Sequence, residues 1–120
     1  MIEYKFDKTA THPRLELTLP EAMEGAEGAS TLISLASVYE QSLYIAHRKT
    51  FTYGDAWRRQ GWMGNLARMM SKMSRVKHML WRDHDMENSE ESVTDTAFDL
   101  INITGFLIVN RSEENKWGER

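Results

Sequence analysis

Apolar residues recur at the helical period along most of the chain. In the stretch from 32 to 49 they lie three and four residues apart, at Leu32, Leu35, Ala36, Tyr39, Leu43 and Ala46. The stretch from 66 to 81 repeats this spacing, with an apolar side formed by Leu66, Met69, Met70, Met73, Val76 and Leu80. A third stretch ends near Asn110 and is apolar nearly all round in its second half. These patterns predict three long helices, the second with its methionines in the core and the third buried between other elements.

The segments between these stretches have other patterns. Leucines alternate with polar residues over 15–19, which is typical of a short strand or an extended arm. A glycine-containing linker follows, and Ser30 or Thr31 is expected to cap the first helix. Three glycines among aromatics over 50–64 predict a structured loop between the first two long helices.

The length of 120 residues allows one hydrophobic core. We therefore predict an all-α fold, a small helical bundle of three to four helices with an extended N-terminal arm. The expected division is an arm or linker over 1–29, a helical domain over 30–112 and a loose tail over 113–120. Three helices are few for a closed core, so we also expect a homo-oligomer.

Composition excludes several functions. The net charge of -3 gives no overall attraction to nucleic acid, so we do not expect a nucleic-acid partner, and phosphate binding would require a local cluster of cations. The absence of cysteine excludes disulfides and thiolate chemistry and fits a reducing compartment. Neither a signal-peptide pattern nor an apolar run of membrane-spanning length occurs, which predicts a cytoplasmic protein without a membrane partner.

Acidic and amide side chains share one side of the third helix. Glu91, Asp95, Asp99 and Asn102 are four, four and three residues apart, which places them within an arc of roughly 80°. Mg²⁺ prefers a few carboxylates and completes its shell with water or substrate phosphate, so Asp95 and Asp99 are candidate metal ligands. The alternative is a solvated face whose first acids complement the helix dipole.

Asp99 stands beside the apolar run Leu100-Ile101, where a carboxylate needs a cation nearby because burying an unpaired charge is costly. The second helix offers three cations within about 60° of one another, Arg68, Lys72 and Arg75. Two interpretations remain open. The cations and acids either form a network of salt bridges between helices, or the acids hold metal or act as a base while the cations hold phosphate.

Aromatic and charged residues are concentrated in the segment from Tyr53 to Arg58. Tyr53 and Trp57 flank a glycine and Asp55, a composition suited to stacking a nucleobase and binding its edge. The alternative is that these aromatics cap the core. The four histidines have no zinc-site spacing, and the sequence contains neither a phosphate-binding glycine loop nor a nucleophile elbow.

Three blocks of the sequence resemble the nucleotide modification associated domain 1 family over the range from Val38 to Val109. They are Lys49 with the segment Tyr53-Gly54-Asp55-Ala56-Trp57-Arg58, then Lys72 with Arg75, then Glu91-Ser92-Val93 followed by Asp95-Thr96 and by Asp99-Leu100-Ile101-Asn102. The family is found widely in phages and is associated with nucleotide metabolism. Its helical design is similar to that of the MazG-like NTP pyrophosphohydrolases. The chain departs from the family at Thr52, where an acid is usual, and at Ile103, where a tyrosine is usual.

The resemblance implies a phage-type nucleotide-binding protein, and with it a Mg²⁺-dependent pyrophosphohydrolase or an accessory to nucleotide modification. Phosphates and base would be bound by Lys49, Tyr53, Trp57, Lys72, Arg75 and Asn102, and also by Arg58 and Arg68, two cations that the resemblance itself does not assign. Asp95 and Asp99 would hold Mg²⁺, and Glu91 or Asp55 would act as the base. MazG-like enzymes carry acids on two helices, whereas here the facing helix is basic. Two alternatives therefore stay open, a non-catalytic protein that sequesters a nucleotide or nucleotide-derived signal, and a structural or interaction domain.

Overall fold

The structure is a computed structural model that describes residues 3–81 and 86–114, and the backbone alone for 86–92. In chain order it contains a 3-10 helix over Glu21–Met23, then α1 over Glu27–Tyr53, α2 over Ala56–Trp81 and α3 over Met86–Glu114. No strand occurs in these described ranges. The prediction of an all-α fold, a small helical bundle preceded by a short N-terminal stretch, is confirmed.

The chain divides into two compact units, Met1–Arg48 and Lys49–Arg120. In the first unit the N-terminal arm contacts α1: the Leu15 amide donates a hydrogen bond to Glu40 Oε2 at 3.3 Å, and His12 packs edge-on against Tyr44. The helix begins at Glu27, ahead of the predicted caps Ser30 and Thr31. That prediction was wrong because the turn after the 3-10 helix leads directly into α1, whose first turn carries Glu27 at the positive end of the helix dipole.

Glycines break the helices at two places in the second unit. Gly54 adopts φ 61° and donates its amide to the Thr50 carbonyl at 2.8 Å, which caps the end of α1. Gly61 adopts φ 69° and ψ 177°, outside the helical range, so α2 consists of two helical segments that meet at a kink there. The predicted loop over 50–64 was therefore wrong. Only two of its three glycines need a positive φ, and the residues around them remain helical.

α2 and α3 pack as an antiparallel pair. Residues later in α2 meet residues earlier in α3: the Asn65 amide bonds Asn110, and the Lys72 ammonium pairs with Asp99. The buried line of α3 consists of side chains seven residues apart, at Thr96, Ile103 and Asn110. This heptad spacing keeps one face of the helix turned toward its partner.

Few hydrophobic side chains are fully buried in this fold. Among the described residues Ile103 alone is. The predicted methionine core of α2 is confirmed only in part, because Met69 is half-buried whereas Met70 and Met73 are exposed. α3 covers only one side of α2, and the predicted apolar stripe is wider than that side.

No helix of the described residues combines the length and the apolar composition that a membrane span requires. The predicted domain limits, at 29/30 and at 112/113, stay predictions. The boundary between the two compact units lies within α1.

Candidate functional site

Two lysines from different helices converge on one carboxylate. Lys49, near the end of α1, places its Nζ 2.5 Å from Asp99 Oδ1, and Lys72 of α2 places its Nζ 3.3 Å from Asp99 Oδ2. We call this group the Lys49–Asp99–Lys72 cluster. The prediction that a cation of the second helix neutralises Asp99 is confirmed for Lys72. Lys49 was predicted as a ligand-binding residue, and its ion pair with Asp99 was not foreseen.

The cluster remains open to solvent. The side chains of Lys49, Lys72 and Asp99 are 51%, 28% and 21% exposed. Partial burial alone would raise the pKa of Asp99, but the hydrogen bonds and charges of Lys49 and Lys72 outweigh it and hold that pKa below its ordinary value. Two ammonium groups against one carboxylate leave a local excess of positive charge, which favours binding of an anion.

The depressed pKa of Asp99 predicts a loss of stability in acid. The carboxylate form is favoured by folding, so its contribution is present at neutral pH and is lost as the pH falls below about 4. We expect the difference in free energy of unfolding between wild type and Asp99→Asn to be larger at pH 7 than at pH 3, as measured by urea unfolding at both values. An equal difference at both pH values would show that the charge of Asp99 contributes nothing to folding.

Further charged residues flank the cluster. Arg68 and Arg75 are exposed on α2, one turn before and one turn after Lys72, and neither has an ion-pair partner within the described part of the chain. Asp95 is exposed one turn before Asp99 on α3, and Asn102 is half-buried. The side chain of Glu91, the predicted base, lies outside the described residues.

Tyr53 belongs to the same side of α1 as Lys49, because the two residues are four apart. Its ring is 67% exposed. Four residues of an α-helix rise by about 6 Å, so the two side chains leave α1 about one turn apart. The exposed ring of Tyr53 is therefore available for stacking beside the Lys49–Asp99–Lys72 cluster.

Trp57, Arg58 and Asp55 make contacts within the protein. The Trp57 ring stacks on Phe106 of α3, with centroids 4.5 Å apart and an interplanar angle of 12°. Arg58 bonds Asp55 at 3.0 Å and donates two hydrogen bonds to Glu113, which raise the pKa of Arg58. These contacts fasten the start of α2 to the end of α3. They give these three predicted site residues a packing role, and their predicted ligand or base roles stay predictions.

The one carboxylate of the cluster, that of Asp99, suits Mg²⁺ less well than the two lysines suit phosphate. Each Asp99 oxygen already contacts an ammonium group, so a metal ion bound there would meet two like charges. Across the side chains that the structure describes, no three acidic or histidine groups come together as a metal site. The predicted metal ligands are Asp95 and Asp99. Of these two, Asp95 is exposed and remains accessible to a cation that a bound phosphate brings with it.

A buried amide pair was missed from the sequence. Asn65 Nδ2 donates to Asn110 Oδ1 at 2.5 Å and to the Trp57 carbonyl at 3.0 Å, and both amides are fully buried. The signal was present in α3, since Asn110 follows the apolar run seven residues after Ile103 and so shares its face. A polar residue on an apolar face predicts a buried partner. Which residue that partner is depends on how the helices pair, and this cannot be derived from the spacing within α3.

Compared with known proteins, the chain matches no protein-family model, no curated protein and no solved structure.

Proposed function

We propose that the protein binds a nucleotide, with the Lys49–Asp99–Lys72 cluster holding its phosphates. The observation that carries this proposal is the convergence of two solvent-accessible lysines from different helices on a single carboxylate. One cation is enough to neutralise a carboxylate. The second ammonium adds positive charge that nothing else in the cluster neutralises, and an arriving phosphate neutralises it.

Asp99 holds the two ammonium groups in place before the ligand arrives. Each of its oxygens contacts one lysine, so the lysines lose less freedom when a phosphate binds between them. Arg68 and Arg75, one turn away on either side of Lys72, extend the positive surface along α2. An extended cationic row fits a chain of phosphates better than a single phosphate.

The base of the nucleotide would stack on Tyr53. This ring lies one turn beyond Lys49 on α1 and is exposed, whereas one face of the Trp57 ring is covered by Phe106. A single aromatic ring accepts any base, because every base has a π-face. The proposal therefore concerns nucleotides as a class. The resemblance further implies a phage-type protein of the cytoplasm. If the protein binds a nucleotide or nucleotide-derived signal without converting it, its role would be to sequester that molecule.

A second candidate function is Mg²⁺-dependent hydrolysis of a nucleotide to release pyrophosphate. It is favoured by Asp95, an exposed acid one turn from Asp99 on the α3 face that the resemblance assigns to metal. Mg²⁺ carried by the phosphates would neutralise charge on the leaving pyrophosphate, with Asp95 as a protein ligand and with Asp99 as a second one once the phosphates draw the two lysines away from it. The lysines would orient the phosphates, and a water molecule would attack the phosphoanhydride, with Glu91 or Asp55 taking its proton.

Calorimetric titration separates these functions. The purified protein is titrated with ribo- and deoxyribonucleoside mono-, di- and triphosphates, once with EDTA and once with Mg²⁺, and each mixture is then examined for pyrophosphate by ³¹P NMR. Binding in EDTA without product supports the nucleotide-binding function. Product that requires Mg²⁺ supports the hydrolase. Absence of binding under every condition contradicts both and favours a structural network of salt bridges.

A further inference from the structure

A cavity of about 290 Å³ lies within the first compact unit, where the N-terminal arm meets α1. The arm contributes His12 to its wall. The other lining residues are spaced as neighbours on one side of α1, and they are Ser37, Glu40, Gln41 and Tyr44. The volume is close to the lower limit of sites that bind small molecules, so any ligand of this cavity is small.

Two contacts within the unit hold the arm beside this cavity. The Leu15 amide donates a hydrogen bond to Glu40 Oε2 at 3.3 Å. The His12 ring packs edge-on against Tyr44, with centroids 5.3 Å apart, and its Nδ1 shares a hydrogen bond of 2.9 Å with the Thr11 hydroxyl. The walls of the cavity are therefore positioned by the protein itself before a ligand arrives.

Glu40 is a half-buried carboxylate without a cation. Among the acidic side chains that the structure describes, only Glu40 and Asp99 are half-buried, and all the others are exposed. Asp99 pairs with two lysines, whereas Glu40 forms no ion pair with any described residue. The guanidinium of Arg48 lies 5.9 Å from the centroid of the Tyr44 ring and does not pair with Glu40. Because removing a carboxylate from water is costly, a cation in the cavity would stabilise Glu40.

The other lining groups suit an organic cation. The Ser37 hydroxyl and the Gln41 side-chain oxygen are acceptors, and together with the Glu40 carboxylate they match the three N–H donors of an ammonium group. Neither lysine nor arginine lines the cavity, so an anion would find no opposite charge there. The rings of His12 and Tyr44 offer apolar walls, which suit a carbon chain better than the water shell of a metal ion.

We infer that this cavity binds a small primary amine in its ammonium form. Glu40 is the counter-ion, and the carbon chain of the amine packs against the rings of His12 and Tyr44. The site belongs to the first compact unit and uses none of the residues of the Lys49–Asp99–Lys72 cluster. It goes beyond the proposed nucleotide binding, and either function can fail without the other.

NMR titration of the full chain with n-butylammonium chloride tests this inference. The titration is made at constant ionic strength and at about pH 8, where an imidazole is ordinarily neutral and an alkylamine is charged. We expect saturable shifts of the ring signals of His12 and Tyr44, with those of Tyr53 and Trp57 unchanged. n-Butanol lacks the charge and is expected to bind at least about tenfold more weakly. Ammonium chloride lacks the carbon chain and is also expected to bind more weakly.

A matched pair of variants identifies the counter-ion. Glu40→Gln removes the charge but keeps an acceptor for the Leu15 amide, and it is expected to weaken n-butylammonium binding about tenfold or more. Glu27→Gln is the control, because Glu27 is an exposed acid of the same helix. It is expected to change the affinity less than about threefold.

Three results would overturn the inference. Absence of saturable shifts at His12 and Tyr44 would show that the cavity holds only water. Equal binding of n-butanol and n-butylammonium would show an apolar hollow in which the carboxylate has no role. Equal losses in the two glutamate variants would show a response to overall charge. The comparison of the two ligands uses the wild-type protein, so it decides the question even if a variant fails to fold.

Discussion

Lys72→Met is expected to weaken nucleotide binding about 10- to 100-fold, because a hydrogen bond to a charged group contributes about 1.5–3 kcal/mol. Lys72 is the more buried of the two lysines in the cluster and is held by Asp99 at 3.3 Å, so its ammonium is well placed before the ligand arrives. The methionine side chain retains the apolar stem of lysine and removes only the charge. Titration calorimetry of both proteins with the same nucleoside triphosphate in EDTA measures the change.

The matched control for this prediction is Lys77→Met. Lys77 also belongs to α2, so both variants lose one positive charge from the same helix. Its ammonium lies 4.7 Å from the Trp81 ring, away from the Lys49–Asp99–Lys72 cluster. We expect the control to change the affinity less than about threefold, through the general loss of charge alone. Equal losses in the two variants would mean that the nucleotide responds to overall charge and that the cluster is not its site.

Asn110→Ala is expected to lower the free energy of unfolding by about 2–3 kcal/mol, a large share of the stability of a small domain. The substitution removes the acceptor of the 2.5 Å hydrogen bond from Asn65 and leaves a cavity between α2 and α3. The Asn65 amide would keep only its bond to the Trp57 carbonyl. Urea unfolding monitored by circular dichroism gives the change from the shift of the midpoint.

The control for the amide pair replaces both of its members. In the double variant Asn65→Leu and Asn110→Leu, neither side-chain amide is left without the other and the volume is filled. The Trp57 carbonyl loses its bond from Asn65, so we expect about half of the lost stability to return. The variant is also expected to pair its helices less uniquely, because a buried amide pair fixes which residues of α2 meet which residues of α3. A cost below about 0.5 kcal/mol for Asn110→Ala would show that the hydrogen bond contributes little.

Much of the fold could be predicted from periodicity alone. The apolar spacing identifies three long helices because each must cover at least one side of a core. The pair between Lys72 and Asp99 was predictable for a related reason. A carboxylate beside Leu100 and Ile101 cannot be buried without a cation, and the adjacent helix supplies three candidates.

The remaining features of the fold and of the candidate site depend on which residues from distant parts of the chain come into contact. Spacing within one helix could not show that Lys49 of α1 reaches Asp99, fifty residues later in the chain. Composition could not decide whether Trp57 stacks on a base or on Phe106, because both partners present the same aromatic face. The glycines over 50–64 were mistaken for a loop, since sequence does not show which glycine adopts a positive φ.

Titration of Asp99→Asn with a nucleoside triphosphate in EDTA tests the central claim most directly, because the substitution preserves shape and removes the charge that competes with phosphate for the lysines. A negative charge about 5 Å from a phosphate costs about 0.8 kcal/mol per ligand charge in water, so the account predicts binding about fourfold tighter than that of the wild type. An affinity equal to that of the wild type, in a variant shown by its thermal melt to be folded, would contradict the account. A phosphate held by Lys49 and Lys72 must respond to the loss of the neighbouring charge, so an unchanged affinity would mean that the two lysines are not the phosphate site.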